Sequence, residues 1–147
     1  MSNQPKMLTV VVLATAASLY AGGFWLQMGT PDASPEAKSK NAVLVIQATG
    51  CQDPATAVIT GTAIRVVNGR KQATPVKLVA LKQPGYFAVI QDWPNDAAVT
   101  LEFVGHNPFN QITSMLVRAR GDVIEKPSAR FFARVPTDQE EMASLVR

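Results

Sequence analysis

The sequence predicts an all-β domain behind a membrane segment, and two observations support that prediction. One long apolar run without a charge lies near the N-terminus, at residues 7–26. After residue 42 the chain alternates short runs of β-branched and aromatic residues with turn-forming residues. That alternation is typical of antiparallel strands.

Residues 7–26 predict a transmembrane helix. The run has twenty residues and no charged side chain, and a helix of that length extends about 30 Å, enough to cross the hydrocarbon core of a bilayer. Trp25 near its end suits the membrane interface, and Lys6 before it favours an N-terminus that stays inside. The prediction is a single-pass cell-membrane protein whose C-terminal domain is periplasmic or extracellular.

A cleaved signal peptide is the alternative for the same residues. Lys6, the apolar residues 8–19 and the small residues Ala21-Gly22-Gly23 supply the three parts of such a peptide. Cleavage near Gly23 would release a secreted domain without an anchor. The sequence leaves both fates open.

Three regions are predicted along the chain. They are an anchor or signal peptide at residues 1–29, a linker at residues 30–41, and a β domain with a C-terminal helix at residues 42–147. The linker, TPDASPEAKSKN, is rich in Pro, Ser, Ala and charges of both signs. Such a composition is typical of a flexible tether.

Seven strands are predicted in the β domain, each bounded by turn formers. They cover residues 43–49, 58–67, 76–81, 86–92, 98–104, 113–120 and 129–135. Asn68-Gly69 and Pro84-Gly85 are turn dipeptides between successive runs, although we expect a long loop around Asn68-Gly69. Seven runs with short links favour an immunoglobulin-like sandwich of two antiparallel sheets, with an open barrel as the alternative.

One helix is predicted after the anchor, at residues 138–146. Thr137 and Glu140 have the spacing of a capping box at its start. Met142, Leu145 and Val146 form an apolar stripe that needs a cover. Either the domain's own sheet or a partner protein would provide it.

Residues 84–103, PGYFAVIQDWPNDAAVTLEF, follow the order Pro-Gly-Tyr, alternating strand, Trp-Pro, turn, alternating strand. This order resembles the closing hairpin of YtkA-like and FixH-like envelope domains, and residues 60–83 are similar to the strand, turn and strand before it. The resemblance implies a small β-sandwich tethered by one N-terminal helix. It also implies copper handling, but that chemistry needs several His, Met or Cys ligands close together, and this chain has one His.

Metal-ligating residues are few and scattered. Cys51, His106 and Met115 are the candidates for a metal site, and their spacing matches no ligand motif. Cys51 is the only cysteine, so it is buried and inert, paired with another chain, or a metal ligand. With no nucleophile motif, phosphate-binding glycine loop or paired acid and base, we expect no enzymatic activity and no cofactor.

An arginine-rich surface is the candidate binding site. If residues 113–120 and 129–135 form neighbouring strands, alternation brings five side chains to one outer face. These are Arg118, Arg120, Arg130, Phe132 and Arg134. The same alternation directs Met115, Val117, Ala119, Phe131, Ala133 and Val135 inward. Guanidinium groups bind phosphate and carboxylate, and an exposed aromatic side chain suits an interface, although an ordinary solvated sheet face is the alternative.

Charge narrows the partners expected for that surface. The chain has a net charge of +3 and a pI of about 9.2, but an exported domain seldom meets nucleic acid. An envelope protein or an anionic envelope polymer or lipid is the expected counterpart. The predicted function is a non-enzymatic, membrane-anchored interaction or assembly module of the cell envelope, with periplasmic copper handling as the alternative.

Overall fold

A computed structural model describes residues 23–50 and 53–146, and nine strands lie in these residues. They are Phe24–Gly29 (β1), Ala42–Gly50 (β2), Val58–Val67 (β3), Arg70–Pro75 (β4), Lys77–Ala80 (β5), Tyr86–Ile90 (β6), Ala98–His106 (β7), Ile112–Arg120 (β8) and Val123–Phe132 (β9). One sheet has the order β1-β2-β6-β5 and the other β4-β3-β7-β8-β9, with antiparallel neighbours throughout. The prediction of two antiparallel sheets is confirmed.

The hydrophobic core lies between the two sheets. Leu101 and Phe103 from β7 pack with Met115 from β8, and Leu44 and Ile46 from β2 belong to the same cluster. All five side chains are fully buried. Alternation along the sequence predicts these inward positions, because successive side chains of a strand point to opposite faces.

Strand β1 corrects the predicted end of the anchor. The apolar pattern assigns residues 24–29 to the N-terminal segment, but the structure pairs each of them with β2, from Phe24 opposite Gly50 to Gly29 opposite Val45. Phe24 and Leu26 are buried in the core. The end of the apolar run is therefore hydrophobic because it packs against protein.

The remainder of that run, residues 7–22, lies outside the described residues. Within residues 23–50 and 53–146, no helix has both the length and the apolar character needed to cross a bilayer.

Residues 30–41 are folded, which corrects the prediction of a flexible linker. Pro31–Ala33 forms a 3-10 turn and Pro35–Ser39 forms a short helix (α1). The Ser34 hydroxyl caps α1 by accepting a hydrogen bond from the Ala37 N–H at 3.2 Å. Ala37 is fully buried on the outer face of the four-stranded sheet. The domain therefore begins at β1 and not at residue 42.

Strands β3 and β4 form a tight hairpin. Only Asn68 and Gly69 separate Val67 from its partner Arg70. The two turn residues have φ angles of 51° and 72°, as a two-residue turn that matches the strand twist requires. The loop is therefore short, contrary to the prediction, and it leads into a strand whose six side chains are all exposed.

A bulge interrupts the pairing of β8 with β9. Leu116 lies opposite Arg130, and Arg118 lies opposite Glu125, so β9 has the four residues 126–129 where β8 has only Val117. The Ser128 hydroxyl closes the bulge: it donates to the Glu125 carbonyl at 2.6 Å and accepts from the Arg118 N–H at 2.8 Å. Strand β9 begins at Val123, on the far side of this bulge, whereas the sequence predicts a strand from residue 129.

The end of β9 also differs from its prediction. The strand ends at Phe132, so Ala133 and Val135 lie beyond it and are exposed. Phe131 is 54% exposed, although it lies opposite the buried Met115. An edge strand has no neighbour on one side to cover its side chains.

The C-terminal helix, Asp138–Leu145 (α2), packs on the outer face of the five-stranded sheet, against β7 and β8. The predicted capping box is present, and docking on the domain's own sheet is confirmed. The buried positions differ from the predicted stripe: Glu141 and Ser144 are buried, whereas Val146 is exposed. The helix therefore meets the sheet through a largely polar contact.

Candidate functional site

The strands that carry the predicted arginine surface are direct neighbours. Ser114 on β8 lies opposite Phe132 on β9, and Leu116 lies opposite Arg130. Leu116 lies on the outer face, and its side chain is fully buried where α2 docks. The helix therefore divides this outer face into a covered part and an open part.

A stack of two guanidinium groups on one ring forms the open part. The Cζ atoms of Arg130 and Arg134 lie 5.3 Å and 5.2 Å from the centroid of the Phe132 ring. At these distances both cations are attracted to the electron-rich ring face. We call Arg130, Phe132 and Arg134 the arginine–phenylalanine stack.

The four arginines of the predicted surface differ in their partners. Arg118 is paired with Glu125 at 2.8 Å, and Arg134 binds both carboxylate oxygens of Glu140 at 2.7 Å and 2.8 Å. Among the described residues, Arg120 donates to the Asp96 backbone carbonyl, at 3.5 Å. Arg130 forms no ion pair with any residue that the structure describes, so its charge is available to a ligand.

Glu140 joins the stack to the start of α2. The Arg134 guanidinium, followed by the Thr137 backbone N–H, lowers the pKa of Glu140 to about 2. In turn Glu140 raises the pKa of Arg134. The Ser114 hydroxyl donates to the Arg134 backbone carbonyl and fixes the chain where it leaves β9. The stack therefore lies on a supported part of the backbone.

A charged cluster beneath α2 was not predicted from the sequence. Glu102 of β7 and Glu141 of α2 are both buried, and Lys71 of β4 forms ion pairs with Glu141 and, at 2.7 Å, with Asp138. Burial, followed by the effect of Glu141, raises the pKa of Glu102 to about 7. The Glu102 Oε2 atom has no hydrogen-bond partner in the part of the chain that the structure describes. The capping box was the only sequence signal near this cluster. It predicts where the helix begins, but not which side of the helix contacts the sheet.

The candidate metal ligands are not brought together. Met115 is fully buried between the sheets, whereas His106 is exposed at the end of β7. Alternation along β7 directs Phe103 toward Met115 and His106 to the opposite face. Cys51 lies outside the described residues, within which no group of three or more His, Cys, Asp or Glu side chains is arranged to hold a metal ion.

The sequence also did not indicate a groove of about 750 Å³ on the outer face of the four-stranded sheet. Its floor includes Val45 and Tyr86, and one wall comes from residues 33–36, which lead into the first turn of α1. The groove exists because residues 30–41 fold back over the sheet.

Comparisons with protein-family models, with curated proteins and with solved structures found no match to this chain.

Proposed function

We propose that this chain is a non-enzymatic, extracytoplasmic β-sandwich that binds phosphate- or carboxylate-bearing polymers of the cell envelope. The observation that supports this proposal is the arginine–phenylalanine stack, in which Arg130 has no ion pair among the described residues. A guanidinium held against a ring retains donors for an oxyanion. Copper handling is not put forward, because His106 and Met115 point to opposite faces of β7 and β8.

The strand order supports an immunoglobulin-like interpretation of the sandwich. In the order β1-β2-β6-β5, the first sheet corresponds to strands A-B-E-D of that fold. The order β4-β3-β7-β8 corresponds to C′-C-F-G, and β9 is an additional edge strand. Arg130 and Phe132 of the arginine–phenylalanine stack therefore lie on the strand that this chain adds to the common arrangement, and Arg134 lies just after its end. The resemblance to YtkA-like and FixH-like domains remains a prediction.

The position of β1 bears on the proposed export. With Phe24 in a strand, the uncharged run is left with residues 7–23, seventeen residues, at the short end of the about 17–25 that span a bilayer. Retention as an anchor would hold the sandwich directly against the membrane, because the uncharged run in the sequence adjoins the first residue of β1. Cleavage after Gly23 would release a domain that starts at its first strand, and the geometry of β1 favours this second fate.

Polymer binding tests the proposal. We expect the full chain, reconstituted in neutral phosphatidylcholine nanodiscs if its N-terminal segment is retained, to bind polyphosphate or polyglutamate more weakly as salt increases. Replacing Arg118 and Arg130 together by Ser should weaken that binding about tenfold or more, because each contact to an oxyanion contributes about 1.5–3 kcal/mol.

The matched control removes the same two charges elsewhere. Arg65 and Arg70 lie on the β3–β4 hairpin and form no ion pair within the described residues. Their joint replacement by Ser should leave most of the binding intact. Equal losses in the two double variants would mean that net charge alone attracts the polymer, and no binding to either polymer would refute the proposed function.

A further inference from the structure

We infer that the β9 bulge and the end of α2 form an oxyanion pocket, in which Arg118 and Arg130 bind one phosphate or carboxylate group of a larger envelope ligand. This inference rests on the proposed function and assigns its recognition to one cavity. The cavity measures about 300 Å³ and is lined by Arg118, Pro127, Ser128, Ala129, Arg130 and Ser144.

The bulge creates the pocket. Between the pairs Leu116–Arg130 and Arg118–Glu125, β8 has one residue, Val117, while β9 has the four residues 126–129. A bulge redirects side chains and interrupts the ladder. Pro127 and Ala129 thereby form one wall, and the two flanking arginines line the same cavity.

Helix α2 provides the opposite wall through Ser144. The Ser144 hydroxyl is held within 2.7 Å of the Thr100 hydroxyl and donates to the Glu141 carbonyl at 2.6 Å. Thr100 lies opposite Arg118 in the β7–β8 ladder. Ser144 therefore has a fixed position relative to Arg118, because the polar contact beneath α2 fixes how the helix lies on the sheet.

The charges around the pocket favour an anion. Arg118, Arg130 and the exposed Lys126 on the bulge are cationic, and Glu125, which pairs with Arg118 at 2.8 Å, is the nearby acid. Arg130 is held over the Phe132 ring at 5.3 Å. A guanidinium that is already ordered loses less side-chain entropy when it binds a planar or tetrahedral oxyanion.

Calorimetry with small anions tests the pocket. We expect the full chain to bind inorganic phosphate or acetate saturably. Arg130→Gln should weaken that binding about tenfold or more, and Ala129→Leu should reduce it by filling the cavity while every charge is kept. Arg120→Gln is the matched control: Arg120 belongs to the same arginine surface but does not line the cavity, so its loss should change binding less than about twofold.

The outcomes separate the pocket from the general function. Loss of small-anion binding in both pocket variants, with a thermal unfolding midpoint like that of the parent, supports the inference. If polyphosphate binds but Ala129→Leu has no effect and the two arginine variants lose equally, recognition is spread over the surface and the pocket is refuted. If neither small anions nor polymers bind, the pocket and the proposed function are both refuted.

Discussion

At the scale of single residues, Gly121 shows how a turn depends on the absence of a side chain. Its φ angle is +57°, and a Cβ atom built there would lie 2.6 Å from the Asn95 carbonyl oxygen. The Gly121 carbonyl also accepts a hydrogen bond from the buried Trp93 indole at 2.8 Å. The contact with Asn95 depends on a loop that is distant along the chain.

Gly121→Ala should therefore lower the free energy of unfolding by more than the left-handed backbone alone explains. That backbone costs about 1–2 kcal/mol for a residue with a side chain, and the clash with Asn95 adds about 1–3 kcal/mol. Gly69→Ala is the control, since Gly69 has a φ of +72° and nothing within 4 Å of a built Cβ. Urea unfolding of both variants measures the difference, and equal losses would contradict the role of the Asn95 contact.

At the scale of the elements, the covering helix α2 makes stability depend on pH. The folded-state pKa of Glu102 is raised from 4.5 to about 7, so the folded protein favours the protonated carboxyl. The stabilisation of the folded state by the protonated Glu102 carboxyl is fully present below pH 4.5 and is lost as the pH rises through 7. It amounts to about 3–4 kcal/mol, because the pKa rises from 4.5 to about 7 and each pKa unit corresponds to about 1.4 kcal/mol.

Glu102→Gln tests this pH dependence. Gln has nearly the same shape and remains neutral, so we expect the variant to be more stable than the parent at pH 8 and similar to it at pH 5. Urea unfolding at the two pH values gives the comparison. A variant that is less stable than the parent at pH 8 would contradict the account.

Deletion of residues 137–147 provides a second variant for the same contact. Removal of α2 exposes Leu116, now fully buried, and returns Glu102 to water. We expect a lower unfolding temperature, together with loss of the stability difference between pH 5 and pH 8. An unchanged unfolding temperature would show that the helix contributes little to the sheet.

The sequence predicts a strand correctly where more and less apolar residues alternate along it. Strand β7 is such a case, because Leu101 and Phe103 alternate with less apolar neighbours. The prediction failed for β4, whose side chains are all exposed, and for β1, whose apolar residues continue a longer apolar run. The sequence also could not predict that α2 contacts the sheet through Glu141 and Ser144. Polar residues on a helix normally indicate the side that faces solvent.

The candidate site was predictable in part for the same reason. Alternation correctly brought Arg130 and Phe132 to one face with β8 as a neighbour. Alternation could not predict the bulge at residues 126–129. The inserted residues leave the local composition unchanged and alter only which residues of β8 and β9 lie opposite each other. The pocket between Arg118 and Arg130 is a consequence of that register change.

At the scale of the whole molecule, folding of residues 30–41 against the sheet removes the spacer between the N-terminal run and the domain. Cleavage after Gly23 would depend on small residues one and three positions before the cut, here Gly23 and Ala21. We therefore expect Ala21→Leu or Gly23→Leu to block maturation, whereas Gly22→Leu at the intervening position is tolerated. Intact-mass spectrometry of the purified chains measures which variants are shortened.

Export is the claim on which the proposed ligands depend, and fractionation of cells that produce the full chain with a C-terminal tag tests it most directly. We expect a domain outside the cytoplasm that protease reaches in spheroplasts. Its N-terminus should be Phe24, or the first residues should remain and hold it in the membrane fraction. Recovery of the chain from the cytosol, water-soluble and with its first thirty residues intact, would contradict the account.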